Sequence, residues 1–128
     1  MKPSSTSTIK RAQKGALYLK IISQLFNRTA QDDASLREFQ ITNVELSPDK
    51  GVIYVLFYCD KGQEYFEAEG LKRLILYKPS LRAALAREVN GRYTPEIVFK
   101  YDKLFEKAER INSLIDKLKE EDEQQIEE

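Results

Sequence analysis

Residues Val52 to Cys59 read Val-Ile-Tyr-Val-Leu-Phe-Tyr-Cys, eight apolar positions without a charge. A run of this length is far short of the roughly 20 residues that cross a bilayer, and it predicts instead a central strand that is apolar on both faces. Ser47-Pro48-Asp49-Lys50-Gly51 precedes it, with Pro to set φ and Gly for a position of positive φ. Before that turn, Phe39 to Leu46 alternates through Phe39 and Ile41, then Val44 and Leu46, the phase slipping near Asn43 where a bulge fits. The two runs together predict an antiparallel hairpin.

Helical spacing occupies most of what remains. Tyr18, Ile21, Ile22 and Leu25, with Leu17, Leu19 and Phe26 widening the stripe, predict a core-facing helix within Ile9 to Asn27. After Asp60 and Gln63, taken as an N-cap pair, the spacing resumes through Ala68, Leu71, Leu74 and Ile75 until Pro79, where a helix must kink or restart. Leu81, Ala84, Leu85 and Val89 form the next stripe, and Asn90-Gly91 closes it. Thr94-Pro95-Glu96 then opens a short strand over 97–101, and Leu104, Ala108, Ile111, Ile115 and Leu118 trace a last helix. The predicted class is α+β, in the order αββααβα, with a Pro kink between the two central helices. Because a helical crossover sets strand three parallel to strand two, the sheet is a three-stranded mixed one in the order 1-2-3, packed against helices. The expected organisation is a flexible start over 1–8, one domain over 9–119 and a disordered acidic tail over 120–128.

Composition removes whole classes of chemistry. There is no His, no Trp, one Cys and only the initiator Met, so the usual ligands for zinc, copper or haem iron and the imidazole base are missing. Glu67 and Glu69 lie two apart on a predicted helix and face different ways, and the Gly-x-x-x-x-Gly-Lys phosphate loop is absent. No catalytic residue, metal or cofactor is expected. The lone Cys59 reads as a buried small hydrophobe in a reduced cytosol, and the polar start of the chain lacks the apolar stretch of a secretory signal. A soluble, monomeric, cytoplasmic protein without membrane contact is the expectation.

Net charge is zero, yet the charge is segregated along the chain. Residues 120–128 carry six acids and no base, leaving the other 119 residues with 21 basic and 15 acidic side chains, a net +6. Residues 1–30 hold six Lys and Arg and no acid. Residues 71–100 hold Lys72, Arg73, Lys78, Arg82, Arg87, Arg92 and Lys100 against Glu88 and Glu96. Two basic segments of this kind are the footprint of a polyanion site, since Lys and Arg that neutralise phosphates release condensed counterions. Lys10, Arg11 and Lys14 precede the large apolar residues of the first helix and stand free to meet a ligand.

The residues from Ile9 to Leu118 resemble ribosome-binding factor A, a bacterial family. The resemblance is strongest in Ile41-Thr42-Asn43-Val44-Glu45-Leu46-Ser47-Pro48-Asp49 with Tyr54-Val55, and in Leu81-Arg82, Thr94 to Ile97, Phe99 to Asp102, Arg110-Ile111 and Leu114. It implies a type II KH-like fold and a non-enzymatic factor that binds immature small ribosomal subunits through their rRNA and assists maturation. A protein-interaction module of the same fold, docking on a ribosomal protein or another assembly factor, is the alternative. Tyr77-Lys78-Pro79 stands where the family usually carries an Ala-x-Gly kink. A KH-type module meets nucleic acid at the junction of its central helices, which here offers Lys78, the amide of Ser80 and Arg82. Arg87 and Arg92 extend that line, Lys10, Arg11 and Lys14 form the second RNA-binding cluster, and Tyr77 and Tyr93 are the candidates for stacking on a base.

Overall fold

The computed structural model describes residues 4–89 and 94–127. Helix α1 spans Ser4–Asp32, β1 Gln40–Leu46, β2 Val52–Tyr58, α2 Gln63–Tyr65, α3 Leu71–Val89, β3 Glu96–Tyr101 and α4 Lys103–Glu127. A 3-10 turn, Ala34–Leu36, leads into β1, and a π-helical turn, Phe66–Gly70, joins α2 to α3. Strand β2 pairs antiparallel with β1 and parallel with β3, giving the mixed sheet β1-β2-β3 that the crossover argument requires.

The bulge falls beside Asn43. Ile41 pairs with Phe57 and Asn43 with Leu56, so Thr42 is the extra residue of β1. Its hydroxyl lies 2.5 Å from Asp102 Oδ2, while Asp102 Oδ1 accepts the Phe105 amide at 2.9 Å and caps α4. In the hairpin turn the left-handed residue is Lys50, at φ 61°, and not Gly51 as expected. Asp49 Oδ1 accepts from both the Ser47 hydroxyl (2.7 Å) and the Gly51 amide (2.9 Å), and this network holds Gly51 where a positive φ is not needed.

One face of the sheet builds the core. Val44 and Leu46, Ile53, Val55 and Phe57, and Ile97, Phe99 and Tyr101 are buried at alternate positions along the three strands. Tyr18, Ile22 and Phe26 of α1, Phe66 of the π turn and Leu74, Leu81 and Leu85 of α3 cover them. The other residues of β2 are half-buried, so this apolar strand is covered fully on one side only. Leu17 and Ile75, counted into helical stripes from spacing, are 50% and 57% exposed and belong to the solvent side.

Two expectations about the long central helix are corrected. Gly62, at φ 92°, is the N-cap of α2, and it offers no side-chain cap of the kind expected from Asp60 and Gln63. The pieces expected on either side of Pro79 are a single helix, α3, with Pro79 inside it. Proline removes the amide that would bond the Ile75 carbonyl, but Pro79 and Ile75 both face water, which hydrates the orphaned oxygen while Leu74, Leu81 and Leu85 anchor the opposite side. The departure from α geometry lies at the π turn instead, where Gly70 slides under Phe39. A Cβ on Gly70 would stand 2.9 Å from the Phe39 ring and 3.2 Å from that of Phe66. Helix also extends into both ends expected to lack it, from Ser4 and as far as Glu127.

This packing sets two expected outcomes. Gly70→Ala must displace a buried ring and is expected to lower stability by about 1–3 kcal/mol in a denaturant titration. Glu38, which accepts from the Tyr65 hydroxyl and pairs with Arg73 at 2.6 Å and Lys61 at 3.5 Å, has its carboxyl held below the ordinary range, chiefly by the Tyr65 hydrogen bond. A depressed folded-state pKa means that its stabilising contribution is present above the unfolded-state pKa and is lost as pH falls through the folded one. Melting curves from pH 7 down to 3 should therefore show the stability gap between wild type and Glu38→Gln narrowing as the medium turns acid.

Candidate nucleic-acid interface

The π turn and the core-facing leucines of α3 lay that helix along β3, and an open groove of about 670 Å³ remains between them. Lys78, Pro79, Arg82, Ala83 and Ala86 of α3 form one wall, with Thr94 and Glu96 opposite. Small side chains at 83 and 86 keep the groove shallow and open. Lys78 and Arg82, one helical turn apart, share its wall as their spacing requires. The Lys78 ammonium lies 5.7 Å from the centre of the Phe99 ring, and Arg82 Nη2 donates to the Thr94 carbonyl at 3.2 Å. Neither is among the ion pairs of the described residues. Both cations are therefore positioned by neutral partners, with Glu96 on the opposite wall of the same groove.

The structure sorts the remaining cations. Arg73 is held by Glu38, Lys72 lies 3.9 Å from Glu69, and Lys100 sits 4.2 Å over the Tyr54 ring on the sheet face away from the core. Arg87 is exposed on α3 beyond the groove, while Arg92 and Tyr93 lie outside the described residues. Ser80 is exposed but inside α3, so its amide is not at a helix start as expected: the helix that was to begin there runs through. Tyr77 is not a stacking platform. Its ring packs edge-on against Phe26 at 5.8 Å, and burial pushes its hydroxyl pKa up. Cys59 is buried, its pKa raised by the same cause, as a structural thiol should be.

Lys10 and Lys14 are exposed on α1, and Arg11 lines a cleft between α1 and residues 43–46 of β1. These β1 residues, the hairpin turn and the start of β3 form one end of the sheet, since Leu46 pairs with Ile53 and Ile53 with Ile97. Arg11 beside β1 and Lys78 with Arg82 beside β3 thus flank the same end of the sheet. Sequence reasoning missed the partners that hold the groove open, Thr94 and Phe99, because both are distant in sequence from α3. Among the described residues no group of three metal-ligating side chains converges, and no helix is long and apolar enough to cross a membrane.

A helix-backed, three-stranded mixed sheet in the order β1-β2-β3 with a long central helix defines a KH-like module. The family model of Ribosome-binding factor A matches residues 10–115, and the chain belongs to that family. It is 35% identical over 122 residues to ribosome-binding factor A of Halothermothrix orenii, covering 93% of this chain and 97% of the relative. That of Syntrophomonas wolfei is 31% identical over 104 residues, covering 80% and 84%. The crystal structure of ribosome-binding factor A from Thermus thermophilus superposes with a TM-score of 0.59 at 26% identity, over 71% of this chain and 93% of that one. A solution structure of a putative ribosome-binding factor A from Thermotoga maritima gives 0.56 at 26% identity, over 72% and 90%.

Because Pro79 interrupts the hydrogen bonding of α3 without breaking it, Pro79→Ala is expected to stabilise the fold by about 1–3 kcal/mol, read from the denaturant midpoint.

Proposed function

We propose that this protein is a non-enzymatic cytoplasmic factor that binds immature small ribosomal subunits through their rRNA and assists their maturation. The observation that carries this reading is the pair Lys78 and Arg82, side by side in a groove and in none of the ion pairs of the described residues, in a member of a family named for ribosome binding. A planar guanidinium and an ammonium one turn apart suit successive phosphates, and the groove's shallow alanine floor suits shape and phosphate contact better than readout of base edges. Lys10, Arg11, Lys14 and Arg87 extend the same electrostatic field around one end of the sheet, and Arg92 adds a further cation to that part of the sequence.

Titration of the full chain with small-subunit rRNA tests the reading. Affinity should fall steeply with added salt, because each neutralised phosphate releases counterions. Lys78→Glu with Arg82→Glu should weaken binding by about tenfold or more and flatten the salt dependence, with little change in melting temperature, since both side chains act at the surface. Affinity unchanged in the double variant would remove the groove as the site, and binding indifferent to salt would remove phosphate recognition altogether.

A further inference from the structure

The groove between α3 and β3 has walls of opposite charge. Lys78 and Arg82 stand on one side and Glu96 on the other, a carboxylate that a site built only to hold phosphate would not carry. The fold fixes its place. The Glu96 amide donates to the Gly51 carbonyl at 3.0 Å and the residue pairs with Val52 at the start of β3, so its backbone is tied to the hairpin turn. Arg82 is tied in turn to the Thr94 carbonyl, and Lys78 leans toward the Phe99 ring. All three side chains line the same open groove, yet neither cation forms an ion pair with Glu96. The walls face each other across a gap that a ligand can fill.

A ligand suited to this groove is two-sided, with negative charge toward α3 and a hydrogen-bond donor toward β3. We propose, resting on the rRNA reading above, that Glu96 is the specificity-determining residue of the groove. It accepts a hydrogen bond from the ribose 2′-hydroxyl of a nucleotide whose phosphate lies against Lys78 and Arg82. A ribonucleotide carries these two groups on adjacent carbons of one sugar, the donor at C2′ and the phosphate on the 3′-oxygen. A hydrogen bond to an ionised acceptor is stronger than a neutral one, and it offsets the repulsion between the carboxylate and the nearby phosphate. Deoxyribose has no 2′-hydroxyl to donate, so against DNA only the repulsion remains, and Glu96 thereby selects RNA. Exocyclic amino groups of adenine, cytosine and guanine are donors of the same kind. They differ from base to base, however, and the side chains of Ala83 and Ala86 carry no polar atom to orient a base edge.

Fluorescence anisotropy of the full chain with labelled strands of about 12 nucleotides tests the assignment. The strands are oligouridine RNA, its 2′-deoxy counterpart and 2′-fluoro oligouridine, which keeps the ribose pucker but lacks the donor. Wild type is expected to bind the RNA about tenfold more tightly than either analogue. Glu96→Ala should bring the three affinities to within about twofold of one another, and Glu96→Gln, which keeps a neutral acceptor, should leave a preference of about threefold. The melting temperature should not move in either variant, because the side chain is exposed. Equal binding of the three strands by wild type, a preference that survives Glu96→Ala, or no binding of oligouridine up to about 1 mM each overturns the proposal. Oligoadenosine RNA separates base from sugar: if Glu96→Ala removes a preference for adenine over uracil but leaves the RNA-to-DNA ratio intact, the ribose contact is overturned. The rRNA reading is judged apart from this. Weakened rRNA binding in the Lys78→Glu, Arg82→Glu variant beside an unmoved sugar preference in Glu96→Ala removes Glu96 and leaves that reading standing, whereas unchanged rRNA binding in the double variant removes both.

Discussion

Phe57 is the contact on which the rest of the molecule hangs. Fully buried on the central strand, it meets Phe26 of α1 at 5.4 Å, Phe66 of the π turn at 5.9 Å and Phe99 of β3 at 5.3 Å. Rings in edge-on and tilted geometry bury large apolar areas with defined orientation, so each of these elements is fixed in rotation as well as in distance. The turn of α3 about its own axis is set by Phe66 and by Gly70 under Phe39, and that rotation decides which side chains of α3 face β3. Lys78 and Arg82 reach the groove because the aromatic cluster has already chosen the helix face.

Much of this was legible in the residues. The run from Val52 to Cys59 gave the central strand, the slipped alternation at Asn43 marked the bulge, and the spacing of Lys78 and Arg82 put both on one wall. What was not legible shares a physical cause, dependence on contacts remote in sequence. Pro79 alone reads as a break, and it is tolerated only because Leu74, Leu81 and Leu85 hold the opposite side of the helix. Asp49 and Ser47 together move the left-handed position from Gly51 to Lys50. Periodicity likewise gave α4 an apolar stripe without saying that the stripe faces away from the core.

The charge picture changes in the same way once side chains are placed. A count along the chain gives residues 71–100 seven cations, but Glu38 takes Arg73, Glu69 draws Lys72, and Lys100 leans on Tyr54 across the sheet. The field of that segment is therefore concentrated on α3 beside β3, in fewer charges with sharper positions. A net charge of zero is compatible with this because the acids gathered after Lys119 lie at the far end of a separate helix.

A sheet of only three strands leaves two margins with unsatisfied amides and carbonyls, an invitation to edge-to-edge growth with other chains. The extra residue at Thr42 breaks the regular hydrogen-bonding line of β1, and its hydroxyl, turned to Asp102, ties that irregularity to the cap of α4. The same small distortion that starts the last helix thus blunts an outer strand against templated aggregation, a safeguard that a regular β1 would lack.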